Sequence, residues 1–196
     1  MQRRTLLLSL ALLILSLPLS ASQFIKLPFD QVARESALIV RGTVENTWSQ
    51  WDDAHEVIFT YATIRVNRYF GETTGPDMLV VREAGGTVGD YTQEAIGFPM
   101  VRRGELVVLL LSQWEGSNDY RIHAFNQGKF LVRMRNGVEV LVEDPVKQGD
   151  GRLERPRGVQ QNAVEDEGES FTMAEFAAMV ESARAGDRDQ RPRAQK

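Results

Sequence analysis

Residues 51–56, WDDAHE, form the only acidic cluster in this chain that also contains a histidine. Asp52, Asp53, His55 and Glu56 offer the oxygen and nitrogen donors that a divalent cation uses. Zinc and calcium sites draw their ligands from several chain elements, however, and no second histidine or carboxylate motif supplies partners for this one. The stretch therefore predicts a charged turn between two strands, with no metal bound. A second stretch, REAGGTVGDYTQ at 82–93, follows the apolar run Met78-Leu79-Val80-Val81 and raises the prospect of a phosphate loop. Such a loop needs glycines at set intervals and a helix N-terminus directly behind them. Gly85, Gly86 and Gly89 match neither the dinucleotide nor the P-loop spacing, no Lys-Ser/Thr pair follows, and no helix pattern comes next. These glycines predict positive φ and close chain crossing in a long connection between strands. No cofactor is implied.

Nucleophilic catalysis has little to work with. There is no cysteine, the histidines are His55 and His123 only, and neither G-x-S-x-G nor H-E-x-x-H occurs. Paired carboxylates leave no spacing signal, so a carboxylate-dependent hydrolase stays open as an alternative. Trp48 and Trp51 stand at the end of the first predicted hairpin with Asp52 beside them. Tryptophan is favoured at the centres of binding surfaces; the competing reading is that the rings close the end of a core. The expectation is a protein that binds rather than catalyses, with Trp48, Trp51 and Asp52 as its contact surface.

The elements that must carry these residues read as strands over 37–47, 55–70, 77–83, 105–113, 120–126, 129–135 and 138–143. In the second, Ile58, Thr60, Ala62, Ile64 and Val66 fall on one face by the period of two. Gly71, Gly75-Pro76, 116–118 and Asn136-Gly137 supply the turns, the last being a tight-hairpin pair. No helical period of ten or more residues lies between the strands, which argues against parallel crossovers. A meander of this kind closes into a barrel or stacks as a sandwich. A short helix is predicted over 27–36, where Pro28 and Asp30 suit the first turn. Another is predicted over 171–186, with Thr172 and Glu175 as a capping box, Phe171 and Phe176 as a hydrophobic staple, and a stripe of Met173, Phe176, Ala177, Val180 and Ala183. The fold class is thus all-β, an OB-like β-barrel with a short N-terminal helix and a C-terminal amphipathic helix.

Arg3 and Arg4 precede an apolar run that stops at Pro18, and small residues occupy Ser20 and Ser22, the layout of a secretory signal peptide. Cleavage after Ser22 would leave a chain starting at Gln23 and take the formal charge from -4 to -6 through loss of the two arginines. The division expected is a signal peptide over 1–22, a barrel domain over 23–146, a polar linker over 147–170, the docked helix over 171–186 and a disordered tail over 187–196. A secreted or periplasmic protein follows, with no integral membrane segment after cleavage. Without cysteine it has no disulfide, no thiolate metal site and no lipid-anchored N-terminus. Its acidity argues against nucleic acid, whose phosphates demand clustered cations.

SALIVRGTV (36–44), FTYATIRVNRYFGE (59–72) and RRGELVVLLLSQWEG (102–116) together resemble a group of uncharacterised bacterial exported proteins, similar in outline to the netrin-like OB barrel of tissue inhibitors of metalloproteinases. The resemblance spans about 36–128 and implies the barrel. It also implies an exported partner, a protease, and so an alternative function as inhibitor or accessory factor of a secreted metalloprotease. The animal inhibitors chelate the protease zinc through an N-terminal cysteine, and this chain has none, so that mechanism transfers to no residue here.

Overall fold

A computed structural model describes residues 26–71, 73–95, 97–144 and 170–190. The predicted signal peptide, nearly all of the predicted linker and residues 191–196 lie outside the described residues.

Helix α1 (Phe29–Glu35) leads into β1 (Leu38–Trp51), which turns back as β2 (Ile58–Tyr69), followed by β3 (Met78–Ala84). A small hairpin, β4 (Gly86–Val88) and β5 (Tyr91–Gln93), comes next, then β6 (Leu106–Gln113), β7 (Tyr120–Ile122), a 3-10 turn at Phe125–Gly128, β8 (Lys129–Arg135), β9 (Val138–Glu143), β10 (Ser170–Thr172) and α2 (Met173–Gln190). Strands β1, β2, β3, β7 and β6 pair in that order, and β6 pairs back onto β1, so five strands close a barrel. One register step in β1 falls at Arg41/Gly42 and another at Val44/Asn46. Such bulges bend and twist a strand, which lets β1 pair with β2 on one edge and β6 on the other.

The closure needs one parallel contact, Val81 opposite Tyr120, between β3 and β7. Parallel pairing was not expected without a crossover helix. Here the crossover is made of strands: the chain leaves β3, traverses the β4–β5 hairpin and β6, and returns beside β3.

On its other edge β6 meets β7 through 111–113 and β8 through 107–109. Strands β7 and β8 are in effect one strand interrupted by the excursion through the 3-10 turn. Gly128 closes that excursion, since a side chain there would collide with the carbonyl of His123. Beyond the barrel, β8, β9 and β10 continue as an antiparallel sheet.

The apolar run 106–111 is explained by burial on both faces of β6. Val107, Leu109 and Leu111 join Val40, Val44, Ile64 and Val81 inside the barrel. Val108 and Leu110 point the other way, into a second core with Phe130, Leu141, Val32 of α1 and Phe176 and Val180 of α2. Phe176 is fully buried and meets Phe29, Phe70 and Phe130 edge-on at 5.2 to 5.5 Å. Its helix begins with the expected capping box: the Thr172 amide donates to Glu175 Oε2 at 2.8 Å, and the Glu175 amide donates to Thr172 Oγ1 at 3.2 Å. The helix continues past Gly186 to Gln190, beyond the expected end, and Ser170–Thr172 form a strand on β9, where Ser170 was expected in the linker and the next two residues in the helix. Among the described residues no helix is long and apolar enough to cross a membrane.

Lys129 ties barrel and outer sheet together. It is wholly buried, and its ammonium reaches Glu105 Oε2 at 2.9 Å, Asp144 Oδ2 at 2.8 Å and the carbonyl of Met100 at 2.5 Å. Two hydrogen bonds and a second carboxylate compensate its charge, the condition under which a buried ammonium is tolerated.

Candidate functional site

Alternation along β1 puts Trp48 and Trp51, three residues apart, on opposite faces, so the three residues expected to share one contact surface are divided. Trp51 lies opposite Ile58 in the ladder, on the side covered by the β4–β5 hairpin. Its ring stacks on His55 at 6.3 Å and meets Tyr91 edge-on at 5.8 Å. Asp52 serves the turn: Oδ1 accepts the amides of Glu56 at 2.8 Å and Val57 at 3.1 Å. The bonds from Val57 and Glu56 hold its carboxyl below the ordinary value. Asp53, His55 and Glu56 are exposed. Among the described residues no group of three or more carboxylates and histidines is placed to hold a metal ion.

The glycine-rich stretch is the β4–β5 hairpin itself. Gly86, at φ +142, lies so close over β1 and β2 that a Cβ would come within 2.5 Å of Ser49 Oγ. Thr60 Oγ1 donates to the Gly85 carbonyl at 2.7 Å, and the Ile58 amide donates to Gln93 Oε1 at 2.6 Å. These bonds leave the stretch a structural clamp on the first hairpin.

Trp48 faces outward and is 38% exposed. Its ring lies nearly parallel to that of Tyr61, its ladder partner, at 5.4 Å and 12°. Tyr61 in turn sits opposite Arg82 on β3. The Arg82 guanidinium carbon lies 4.8 Å from the Phe59 ring centre and 4.3 Å from that of Trp114, which are themselves edge-to-face at 6.0 Å. Arg121 of β7 covers Trp114 at 5.3 Å, and Trp114 Nε1 donates to the Arg82 carbonyl at 3.0 Å. The outer wall of the barrel thus carries two groups, the Trp48–Tyr61 stack on β1 and β2 and a cluster of Phe59, Arg82, Trp114 and Arg121 reaching the ends of β6 and β7, with Tyr61 and Arg82 facing each other in the ladder. Among the described residues neither Arg82 nor Arg121 forms an ion pair, and Arg82 Nε is buried without a hydrogen-bond acceptor. Sequence reasoning singled out Trp48 and did not single out Tyr61, Arg82, Trp114 or Arg121, which the fold places on the same outer wall. The outward parity of Phe59, Tyr61 and Arg82 was a readable signal; the fold-over of Trp114 was not.

One constellation has the outline of a catalytic triad. Ser112 Oγ and His123 Nδ1 are 2.6 Å apart, and His123 Nε2 lies 3.4 Å from Glu35 Oε2 without the alignment of a hydrogen bond. An acyl-transfer site also needs free donors for an oxyanion. The nearby amides of Trp114 and His123 already donate to the carbonyls of Asp119 and Leu110, so this group pins β6 to β7.

Glu83 points into the barrel and is 5% exposed. Burial pushes its carboxyl up to about 8, against the opposing pull of the Ile122 amide and the Arg121 charge. No protein-family description matches the chain, and a comparison with curated proteins found no relative.

Proposed function

We propose that this chain is an exported, non-catalytic binding module of OB type whose contact surface is the outer β1–β2–β3 wall. The observation that carries the reading is the outward-facing set Trp48, Tyr61, Arg82 and Trp114, an apolar and cationic face on which Trp48 is 38% exposed and the other three are half-buried. Strand order 1-2-3-7-6 with a parallel β3–β7 contact supports the OB reading, a fold whose strand 2–3 face is a common ligand surface. Export rests on the charged and apolar pattern of the first 22 residues. In this reading Trp51 and Asp52 shape the hairpin tip, and Trp48 makes contact.

The test is calorimetric titration of the full chain with four polymer classes: acidic polysaccharide, neutral polysaccharide, acidic polypeptide and single-stranded oligonucleotide. Binding by at least one class, lost in Trp48→Ala while the chain still unfolds cooperatively with its melting temperature lowered by no more than a few degrees, is the expected result. A chain that binds none of them, or binds equally well without Trp48, would overturn the reading.

A further inference from the structure

We infer that the ligand of this face is an acidic polysaccharide, a chain of sugar rings bearing carboxylates, lying across the strands from Trp48 to Arg121. The inference rests on the proposed binding surface and names its chemistry.

Four features converge on that occupant. Strand β2 pairs with β1 on one side and β3 on the other, so its main-chain groups are occupied. Side chains therefore carry recognition across β2, and the most open ring among them is that of Trp48, 38% exposed and braced in parallel by Tyr61. A planar ring offers an apolar platform for the C–H face of a sugar.

The charge pattern narrows the class. The guanidiniums of Arg82 and Arg121 both lie against Trp114, and among the described residues neither has an acidic partner in ion-pair reach. Planar guanidinium donors match carboxylates in bidentate fashion. Both guanidinium carbons lie within 5.3 Å of the Trp114 ring centre, which suits a ligand with anionic groups spaced a few ångströms apart. A continuous phosphodiester backbone needs a denser field of cations.

The set also has a matching span. Two inter-strand steps of about 4.8 Å carry it from Trp48 to Arg82, and Trp114 and Arg121 extend it further, the reach of a short oligosaccharide.

Polygalacturonate is the probe, titrated into the full chain at low salt, with its fully methyl-esterified form, dextran, polyglutamate and oligo-dT in parallel. The expected result is binding of polygalacturonate alone, weakened about 10-fold or more in Trp48→Ala and in Arg82→Gln, and several-fold in the exposed Arg121→Gln, which does not depend on a folded-core residue. Equal binding of the ester would show that the guanidiniums select nothing and would overturn the inference. So would tighter binding of polyglutamate or oligo-dT, although either one, lost in Trp48→Ala, would leave the binding surface standing. Absence of binding to all five polymers would remove both.

Discussion

The Glu83 carboxyl accepts the backbone amide of Ile122 at 2.5 Å, and this bond joins β3 to β7 where the ladder itself contributes only Val81 opposite Tyr120. The barrel thus closes through a buried side chain as well as through main-chain pairing.

Because burial raises the Glu83 carboxyl to about 8, the folded chain keeps a proton that the unfolded chain releases near 4.5. Stability from this group is fully present below about pH 4.5 and is lost as the pH climbs through about 8. Glu83→Gln keeps an oxygen for Ile122 and removes the titration. Its melting temperature should be flatter than the parent's between about pH 5 and 9, and should exceed the parent's at the upper end. Identical pH profiles for the two proteins would contradict this.

Removing the ammonium of Lys129 takes from Asp144, only 16% exposed, its cation and leaves Glu105, 14% exposed, to Arg102 alone. Lys129→Met should cost about 3–5 kcal/mol in urea unfolding. Adding Asp144→Asn to that variant should recover part of the loss, giving a non-additive pair. Strict additivity would place the two residues outside one network.

Phe176 anchors α2 against three other rings. Phe176→Ala should cost about 3–5 kcal/mol by loss of transfer energy plus cavity, and helical circular dichroism should fall at a lower temperature than in the parent. An unchanged midpoint would mean that α2 is not held by its apolar stripe.

The two tryptophans of β1 should separate by what they do. Trp51→Ala loses packing on His55 and Tyr91 and should destabilise by about 2 kcal/mol. Trp48→Ala, at an exposed position, should cost about 1 kcal/mol or less. The reverse ranking would contradict their assignment to opposite faces.

Asp52→Ala should raise hydrogen exchange at the Glu56 and Val57 amides without touching the barrel strands, since those amides lose their shared acceptor. Protection that persisted at both would show that the tip is held by Trp51 and Tyr91 instead.

Much of this architecture was legible because burial writes periods into sequence. Alternation in 58–66 assigned the inner face of β2, the unbroken run 106–111 marked a strand, and Thr172 and Glu175 located the start of α2. What escaped was short or spatial. Strands β4, β5 and β10 have three residues each, too few to show a period. The hairpin they hide exists because Gly86 allows contact with Ser49, a relation between residues far apart in the chain. For the same reason the candidate site was half visible: Trp48 drew notice as a tryptophan, whereas Trp114 became part of it only when β6 ended and the chain folded over Arg82. Pairing Trp48 with Trp51 followed nearness in sequence, and the pleat of β1 sets them back to back.

Strand β6 is a party wall between two compartments, with Leu109 facing one and Leu110 the other. Neither compartment can empty without exposing a side of the other, so the helices and the barrel are bound into one cooperative unit. Calorimetry should register a single transition whose measured enthalpy equals the van't Hoff value, and amides of β6 should exchange only by global opening. Consecutive substitutions in 106–111 therefore disturb two neighbourhoods in turn, which leaves this strand no face free to change.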